Sequence, residues 1–191
     1  ECGLPESLTG YVDCPIINAG DGKHAHPTQA LLDLFTIYEH FDGQTDGKRI
    51  AIVGDVRTSR VAGSNRRLLP TFGIDVSFIS PECFRYEGND FKTYTKISDV
   101  IDELDVIMSL RTQLERHSEV YFESLNEYAK DYCITNEVMG NRDIILLHPG
   151  PVNRNVDISD EMLKDPRSKV LQQVTNGVAI RAAVLKKLIL K

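Results

Sequence analysis

The sequence predicts an α/β protein with a doubly wound parallel sheet and helices on both faces of that sheet. Apolar runs of about five or six residues recur along the chain, and segments with helical periodicity separate them. Such runs, alternating with helices, are typical of parallel sheets that helices cover on each side. The 191 residues are enough for one ordinary domain with a sizeable core.

Four strands are predicted from the apolar runs, at residues 49–54, 75–80, 105–110 and 143–147. Each run is too short for an ordinary helix and is rich in Ile, Val and Leu. The connections between parallel strands are expected to be right-handed, which gives a Rossmann-like arrangement. In such sheets, ligands bind beyond the carboxyl ends of the strands, so the residues that follow each strand are the candidates for function.

Helices are predicted between these strands. Residues 27–40 begin with Pro27, which suits a first helical position, and carry apolar residues at helical spacing. Residues 41–47 contain two Gly and two Asp and predict a loop. The remaining helical segments are predicted at 60–72, 97–104, 117–130 and 177–190, with a further turn at 136–139.

Arginines follow three of the four predicted strands, although the chain has a net charge of −6. Arg57 and Arg60 follow the first strand, Arg111 and Arg116 the third, and Arg154 the fourth. A guanidinium group matches a carboxylate or a phosphate with two parallel hydrogen bonds. The pattern predicts a pocket for a small anion at this edge of the sheet. The alternative is that these arginines pair with neighbouring Asp and Glu residues.

Two histidines, His24 and His26, lie just before the first long helix. A metal pair is the weaker interpretation, because no companion Cys or His follows at zinc-site spacing. The environment of a helix start favours a neutral imidazole at His26, and a neutral imidazole can donate a hydrogen bond to a polarised carbonyl oxygen. Gln29, one turn later, offers both a donor and an acceptor.

Several classes of function are disfavoured. The turn after the first strand lacks the G-x-G-x-x-G pattern, and no phosphate-loop motif with Gly-Lys-Ser/Thr occurs. The negative net charge argues against nucleic-acid and acidic-membrane partners, and no apolar run approaches the roughly 20 residues of a membrane span. Four scattered cysteines predict reduced thiols and a cytoplasmic location.

Four motifs together resemble a known family. NAGDGKHAHPTQALLDLFTIYE, GDVRTSRVAGSN, RTQLERH and HPGPVNR, in this order and spacing, are similar to the second half of aspartate carbamoyltransferase catalytic chains. The resemblance covers nearly all of residues 14–190. The related ornithine carbamoyltransferases carry a cysteine in place of Thr28 and a Cys-Leu-Pro motif near the last strand, so the resemblance favours aspartate over ornithine.

The resemblance implies roles on the carbamoyl side of the reaction. His26 would hydrogen-bond the carbonyl oxygen of carbamoyl phosphate and stabilise the charge that develops there. Gln29 would orient the NH2 group of the carbamoyl moiety. The backbone around Pro149 and Gly150 would accept hydrogen bonds from the same NH2 group.

The resemblance also implies roles on the aspartate side. Arg60 would hold the α-carboxylate of L-aspartate, and Arg111 with Gln113 would hold its side-chain carboxylate. Arg116 would be an inter-domain latch. No metal and no organic cofactor would be required, because catalysis would come from orientation and electrostatic preorganisation.

Two family features do not occur in these 191 residues: the Ser-Thr-Arg-Thr-Arg loop that cradles the phosphate, and the Ser/Lys loop that a neighbouring subunit supplies. The first residue is Glu1 and not Met, so we expect a segment of a longer chain. Residues 1–40 would be the end of the carbamoyl-phosphate domain, beginning near a strand at 15–17, with the inter-domain helix. Residues 41–165 would be the aspartate-binding domain, and residues 166–191 a C-terminal helical segment.

The C-terminal helix would pack on an N-terminal domain that this chain lacks, so its apolar face would find another partner or stay partly exposed. The resemblance implies a homotrimer, and regulatory chains are a further candidate partner. Without the phosphate loop the chain is expected to be an inactive part of an enzyme. Two alternatives stay open: a non-catalytic binding or regulatory module with the same fold, and a carbamoyltransferase for another amine such as ornithine.

Overall fold

A computed structural model describes residues 2–113 and 121–189 of the chain. Five strands form one parallel sheet, with helices before, between and after them. The strands are β1 (Arg49–Val53), β2 (Asp75–Ile79), β3 (Lys92–Tyr94), β4 (Val106–Ser109) and β5 (Ile145–Leu147). The α-helices are α1 (Leu4–Leu8), α2 (Pro27–His40), α3 (Arg60–Leu68), α4 (Leu125–Tyr132), α5 (Asn136–Met139) and α6 (Val170–Ile189).

The strand order is β3-β2-β1-β4-β5, so the chain winds outward from β1 in one direction and then returns to wind in the other. The central strand β1 pairs in parallel with β2 and with β4, and Ile50 lies opposite Val76 on one side and Val106 on the other. The winding direction reverses between β1 and β4. Their adjacent carboxyl ends form the crevice where doubly wound sheets bind ligands. The predicted fold class is therefore confirmed.

Side chains alternate between the two faces of the sheet and build a core on each. Ile50 and Ile52 of β1 face helices α2 and α3, in a cluster that includes Ile37 and Met108. Ala51 and Val53 face the opposite cluster, which contains Tyr128 and Tyr132 of α4 and Met139 of α5. Burial of both faces explains why these strands are continuous apolar runs in the sequence.

The structure differs from the predicted strands and short helices in three places. Strand β3, Lys92–Tyr94, was missed because a polar strand of three residues carries little hydrophobic signal. The predicted helix at 97–104 is two short 3-10 helices, Ile97–Asp99 and Ile101–Glu103, separated where Val100 leaves helical geometry with φ −141°. Residues 15–17 form no strand, because the described residues offer them no neighbouring strand with which to pair.

The helix predicted at 117–130 starts later than expected. Residues 117–120 lie outside the described residues, and α4 begins at Leu125. Ser124 caps its N-terminus, since its hydroxyl accepts a hydrogen bond from the backbone N–H of Glu127 at 3.3 Å. Ser-x-x-Glu before a helix is a capping signature, so this start was readable from the sequence. The prediction for 27–40 and the turn at 136–139 are confirmed as α2 and α5.

Helix α6 docks on α2 through polar contacts. It begins at Val170, seven residues before the predicted start, and the side of α6 that is buried carries Gln173, Asn176 and Gly177. The Asn176 amide donates to the Thr36 hydroxyl and to a Glu39 carboxylate oxygen, both at 3.0 Å. Much of the apolar side of the helix stays exposed, as anticipated: Leu171, Val174, Val178, Leu185 and Ile189. No helix of the described residues is both long and apolar enough to cross a membrane.

Replacing Asn176 by Ala should therefore destabilise the protein more than removing an apolar side chain from the same helix. The substitution removes two hydrogen bonds that join α6 to α2, and each contributes about 1 kcal/mol of unfolding free energy. Val174→Ala is the matched control and should change stability by less than about 0.5 kcal/mol, because Val174 is exposed. Urea denaturation measures both values. Equal losses for the two variants would contradict polar docking.

Candidate functional site

A cavity of about 170 Å³ lies at the crevice between the ends of β1 and β4. All seven site residues proposed from the sequence line it: His26, Gln29, Arg60, Arg111, Gln113, Pro149 and Gly150. They come from the start of α2, the start of α3, the segment after β4 and the turn after β5. The doubly wound topology thus brings together residues that are far apart in the sequence.

Arg60 is placed by the turn that joins β1 to α3. Ser59 caps α3, because its hydroxyl accepts a hydrogen bond from the N–H of Ala62 at 3.2 Å. The guanidinium group then lies against Gly20, where a Cβ would come within 2.8 Å of Cζ of Arg60. Gly20 also has a φ of +119°, a conformation that few other residues adopt. Both features make glycine necessary at this position if Arg60 is to stay where it is.

Arg111 and Gln113 enter the cavity from the other side. Between them, Thr112 is anchored at both backbone groups: its N–H donates to Asp157 at 3.0 Å, and its carbonyl accepts from the Asn153 amide at 2.7 Å. The Nε of Arg111 is buried and has no hydrogen-bond partner within the part of the chain that the structure describes. A buried N–H without a partner favours the binding of an acceptor from outside the protein.

His26 is held at the start of α2 by a contact with α3, since its backbone N–H donates to the Ser64 hydroxyl at 2.8 Å. Burial, together with the positive charges of Arg60 and Arg181, lowers the pKa of His26 to about 4. The imidazole is therefore neutral at pH 7 and can donate one hydrogen bond. The sequence analysis predicted this state from the helix dipole, but burial and two guanidinium groups are the causes.

Gln29 is fixed by a carboxylate that has no contact with solvent. Asp33, one turn further along α2, accepts hydrogen bonds from the amides of Gln29, Asn65 and Gln173, each at 2.8 Å. Burial raises the pKa of Asp33 to about 6, and the three hydrogen bonds oppose that rise. Asp33 is therefore mostly ionised at pH 7 despite its complete burial.

The turn after β5 is organised by a second buried carboxylate. Asp157 accepts from the His148 ring at 3.1 Å and from the backbone N–H of Asn153 at 2.9 Å. The other ring nitrogen of His148 accepts from the backbone N–H of Gly150 at 2.8 Å. Gly150 has a φ of +67° and is followed by a cis bond to Pro151. These contacts set the directions of the backbone groups of Pro149 and Gly150 at the edge of the cavity.

Other sequence candidates lie elsewhere. His24 pairs with Asp21 at 2.9 Å and does not line the cavity, and no group of three metal-ligating side chains occurs among the described residues. Arg154 pairs with Asp160 at 2.5 Å, as the alternative interpretation of the arginines expected, whereas Arg57 contacts the Tyr121 hydroxyl at 3.3 Å. Arg116, the proposed latch, lies outside the described residues.

Sequence reasoning missed the residues that support the site. Asp33 carried a readable signal, because it lies four residues after Gln29 and is surrounded by leucines, a pattern typical of a paired, buried carboxylate. Asp157, Gln173 and Gly20 carried none, since each acts through a contact between distant parts of the chain. The cavity also includes Asp55, Thr58 and Ser59 from the turn after β1.

Two family profiles match the chain. The profile described as the aspartate/ornithine carbamoyltransferase Asp/Orn binding domain matches residues 46–188. The profile described as the carbamoyl-P binding domain of the same family matches residues 3–39. The two matches together cover most of the described chain, and residues 40–45, at and just after the end of α2, separate them.

Curated relatives agree with these profiles. The chain is 77% identical to the aspartate carbamoyltransferase catalytic subunit of Aliarcobacter butzleri and 58% identical to that of Campylobacter lari, over 190 and 189 residues. These alignments cover 100% and 99% of this chain, and 64% of each relative's length.

Solved structures are similar as well. The catalytic subunit of aspartate transcarbamoylase from M. jannaschii has a TM-score of 0.86 at 34% identity, over 99% of this chain and 64% of that one. An ornithine carbamoyltransferase from Thermus thermophilus has a TM-score of 0.82 at 23% identity, over 97% of this chain and 62% of that one. At that identity, the second comparison supports the fold alone.

The imidazole of His26 should titrate with a midpoint near pH 4, and NMR chemical shifts of its ring protons measure this directly. Arg60→Ala should raise the midpoint, because it removes a neighbouring positive charge. A midpoint at or above the ordinary value of about 6.5 would contradict the neutral state at pH 7.

Ionisation of Asp33 should lower stability as pH rises. Its pKa is raised in the folded state, from 3.8 to about 6, so its stabilising contribution is complete below pH 4 and is lost as pH rises through 6. A shift of about 2 pKa units corresponds to ~3 kcal/mol of unfolding free energy.

The comparison with Asp33→Asn isolates this effect, because other titrating groups cancel between the two proteins. The stability of the unsubstituted protein relative to the variant should fall by ~2 kcal/mol between pH 4 and pH 7. Denaturation at both pH values provides the measurement, and a difference that does not change with pH would refute the assignment.

Proposed function

Because the chain belongs to the aspartate/ornithine carbamoyltransferase family, we propose that it is the aspartate-binding part of an aspartate carbamoyltransferase. That enzyme transfers the carbamoyl group of carbamoyl phosphate to the amine of L-aspartate and forms N-carbamoyl-L-aspartate, a step of pyrimidine biosynthesis. The observation that carries the proposal is the meeting of all seven motif residues around one cavity at the β1–β4 crevice.

On the carbamoyl side, the neutral imidazole of His26 donates a hydrogen bond to the carbonyl oxygen. The amine nitrogen of aspartate forms a bond to the carbamoyl carbon, and the bond from that carbon to the phosphate oxygen breaks. Negative charge grows on the carbonyl oxygen during the attack, so a donor placed in advance lowers the barrier. Gln29 and the backbone carbonyls of Pro149 and Gly150 orient the NH2 group of the carbamoyl moiety.

On the aspartate side, two cationic groups match the two carboxylates of the substrate. Arg60 binds the α-carboxylate, and Arg111 with Gln113 binds the side-chain carboxylate. The unpartnered Nε of Arg111 supports this role, because a substrate carboxylate would supply its missing acceptor. The proposed mechanism uses orientation and electrostatics and assigns no step to a metal or an organic cofactor.

The division of the chain follows from the same proposal. Residues 1–40 end the carbamoyl-phosphate domain and include the inter-domain helix, residues 41–165 form the aspartate domain, and residues 166–191 form the C-terminal helical segment. We place the protein in the cytoplasm, as a homotrimer that can associate with regulatory chains. The 191 residues contain no Ser-Thr-Arg-Thr-Arg loop, so we expect them to bind dicarboxylates and to catalyse nothing alone.

Isothermal calorimetry with L-aspartate or succinate tests the binding of the two carboxylates. The unsubstituted chain should bind them weakly, and Arg60→Ala or Arg111→Ala should each weaken binding about tenfold or more. A charge-assisted hydrogen bond contributes about 1.5–3 kcal/mol, which corresponds to at least a tenfold change in affinity.

Two controls sharpen this experiment. Arg57→Ala removes the same charge from the same turn, but Arg57 is exposed and does not line the cavity, so binding should stay within twofold. Gly20→Ala keeps the charge but shifts the Arg60 guanidinium, and should weaken binding by less than Arg60→Ala does. Binding that is unchanged by both Arg60→Ala and Arg111→Ala would reject the proposed site. Carbamoylation of L-ornithine, with L-aspartate ignored, would instead establish the alternative acceptor.

A further inference from the structure

The buried carboxylate Asp33 has a contact pattern that determines which way the Gln29 amide points. Oδ1 of Asp33 lies 2.8 Å from Nε2 of Gln29. A carboxylate oxygen accepts hydrogen bonds, so the end of the Gln29 amide that faces Asp33 is the NH2 group. The reverse orientation would place two oxygen atoms against each other inside the protein, without water to separate them.

Gln29 also lines the cavity, although it is almost fully buried. With its nitrogen turned toward Asp33, the group that it can offer to the cavity is the oxygen Oε1, which is an acceptor only. A glutamine side chain without such a partner could present either its NH2 donor or its oxygen acceptor to the cavity. The Asp33 carboxylate excludes the NH2 donor.

The same carboxylate oxygen is also linked, through Gln173, to the turn that carries the backbone carbonyls of Pro149 and Gly150. Oδ1 of Asp33 accepts from Nε2 of Gln173 on α6, and Oε1 of Gln173 accepts from the backbone N–H of His148 at 2.8 Å. His148 begins the turn that carries the carbonyls of Pro149 and Gly150. One oxygen atom therefore connects Gln29 to this turn.

We propose that Asp33 is a positioning residue, which orients Gln29 so that Oε1 faces the cavity as an acceptor for the NH2 group of the carbamoyl substrate. This inference rests on the proposed function for its substrate, whereas the orientation of the amide does not. Asp33 lies behind Gln29 and does not line the cavity, so it acts on the reaction only through other residues.

Two substitutions at Asp33 should have opposite effects on the orientation of the Gln29 amide. Asp33→Leu removes the acceptor and frees the Gln29 amide to turn. Asp33→Asn keeps an oxygen at the Oδ1 position, and its new NH2 group replaces Oδ2, which accepts from Nδ2 of Asn65. The Asn65 amide then turns to present Oδ1, which is buried and lacks a partner among the described residues. Asparagine should therefore preserve the orientation of Gln29, and leucine should not.

The kinetic test uses these 191 residues joined to the part of the Aliarcobacter butzleri subunit that they do not cover. Asp33→Leu should lower kcat ten- to a hundredfold, with KM for L-aspartate within twofold, and Asp33→Asn should stay within about threefold. Adding Asp33→Leu to Gln29→Ala should lower kcat by a smaller factor than Asp33→Leu does alone, because the Gln29 acceptor is already absent. Glu39→Leu is the matched control on α2, since Glu39 also binds amides of α6 but is remote from Gln29, and its kcat should be unchanged.

Two results would overturn the positioning role. One is a double variant in which the fold-losses in kcat of Gln29→Ala and Asp33→Leu multiply. The other is an Asp33→Asn variant with a kcat as low as that of Asp33→Leu. A joined protein that transfers no carbamoyl group without any substitution would instead count against the proposed function. If the joined protein is inactive, or if Asp33→Leu does not fold, NMR of the unsubstituted 191-residue chain tests the inference instead. The Gln29 side-chain amide protons should exchange with solvent at least tenfold more slowly than those of free glutamine, and equal rates would overturn the inference.

Discussion

Carboxylates buried beneath the cavity control the geometry of the site. Asp33 and Asp157 are fully shielded from water, and both accept hydrogen bonds from groups on separate segments of the chain. Asp33 joins α2, α3 and α6, and Asp157 joins the segments after β4 and β5. The side chains and backbone groups around the cavity are thereby held in place, because their donors bind carboxylates that are themselves buried.

This arrangement costs stability. An ionised carboxylate in the protein interior is destabilising unless hydrogen bonds compensate for the lost water, and the raised pKa of Asp33 shows that compensation is incomplete. An apolar residue at this position would pack more favourably but would leave the Gln29 amide without a fixed orientation. Helix α6 likewise uses polar contacts in place of apolar packing. Its Gln173 and Asn176 amides bind Asp33 and Glu39 of α2, whereas much of its apolar side stays exposed.

The sequence was sufficient to predict the elements whose own residues carry a hydrophobic pattern. The apolar runs at 49–54 and 105–110 predicted two central strands, and their carboxyl ends predicted a pocket rich in arginine. Strand β3 was not predictable, because its pairing with β2 depends on neighbours and not on its own residues. Asp157 and Gln173 were missed for a related reason: the contact of Asp157 with Thr112 spans 45 residues and that of Gln173 with Asp33 spans 140, and no periodicity connects these pairs.

The central claim is that one small dicarboxylate bridges the loops after β1 and β4. A crystal structure of the chain with bound succinate tests it most directly. The account predicts one carboxylate on the guanidinium of Arg60 and the other on Arg111 and Gln113, with the Nε of Arg111 now paired. Succinate in another cavity, such as the one between Lys96 and Arg142, with the β1–β4 crevice empty, would contradict it.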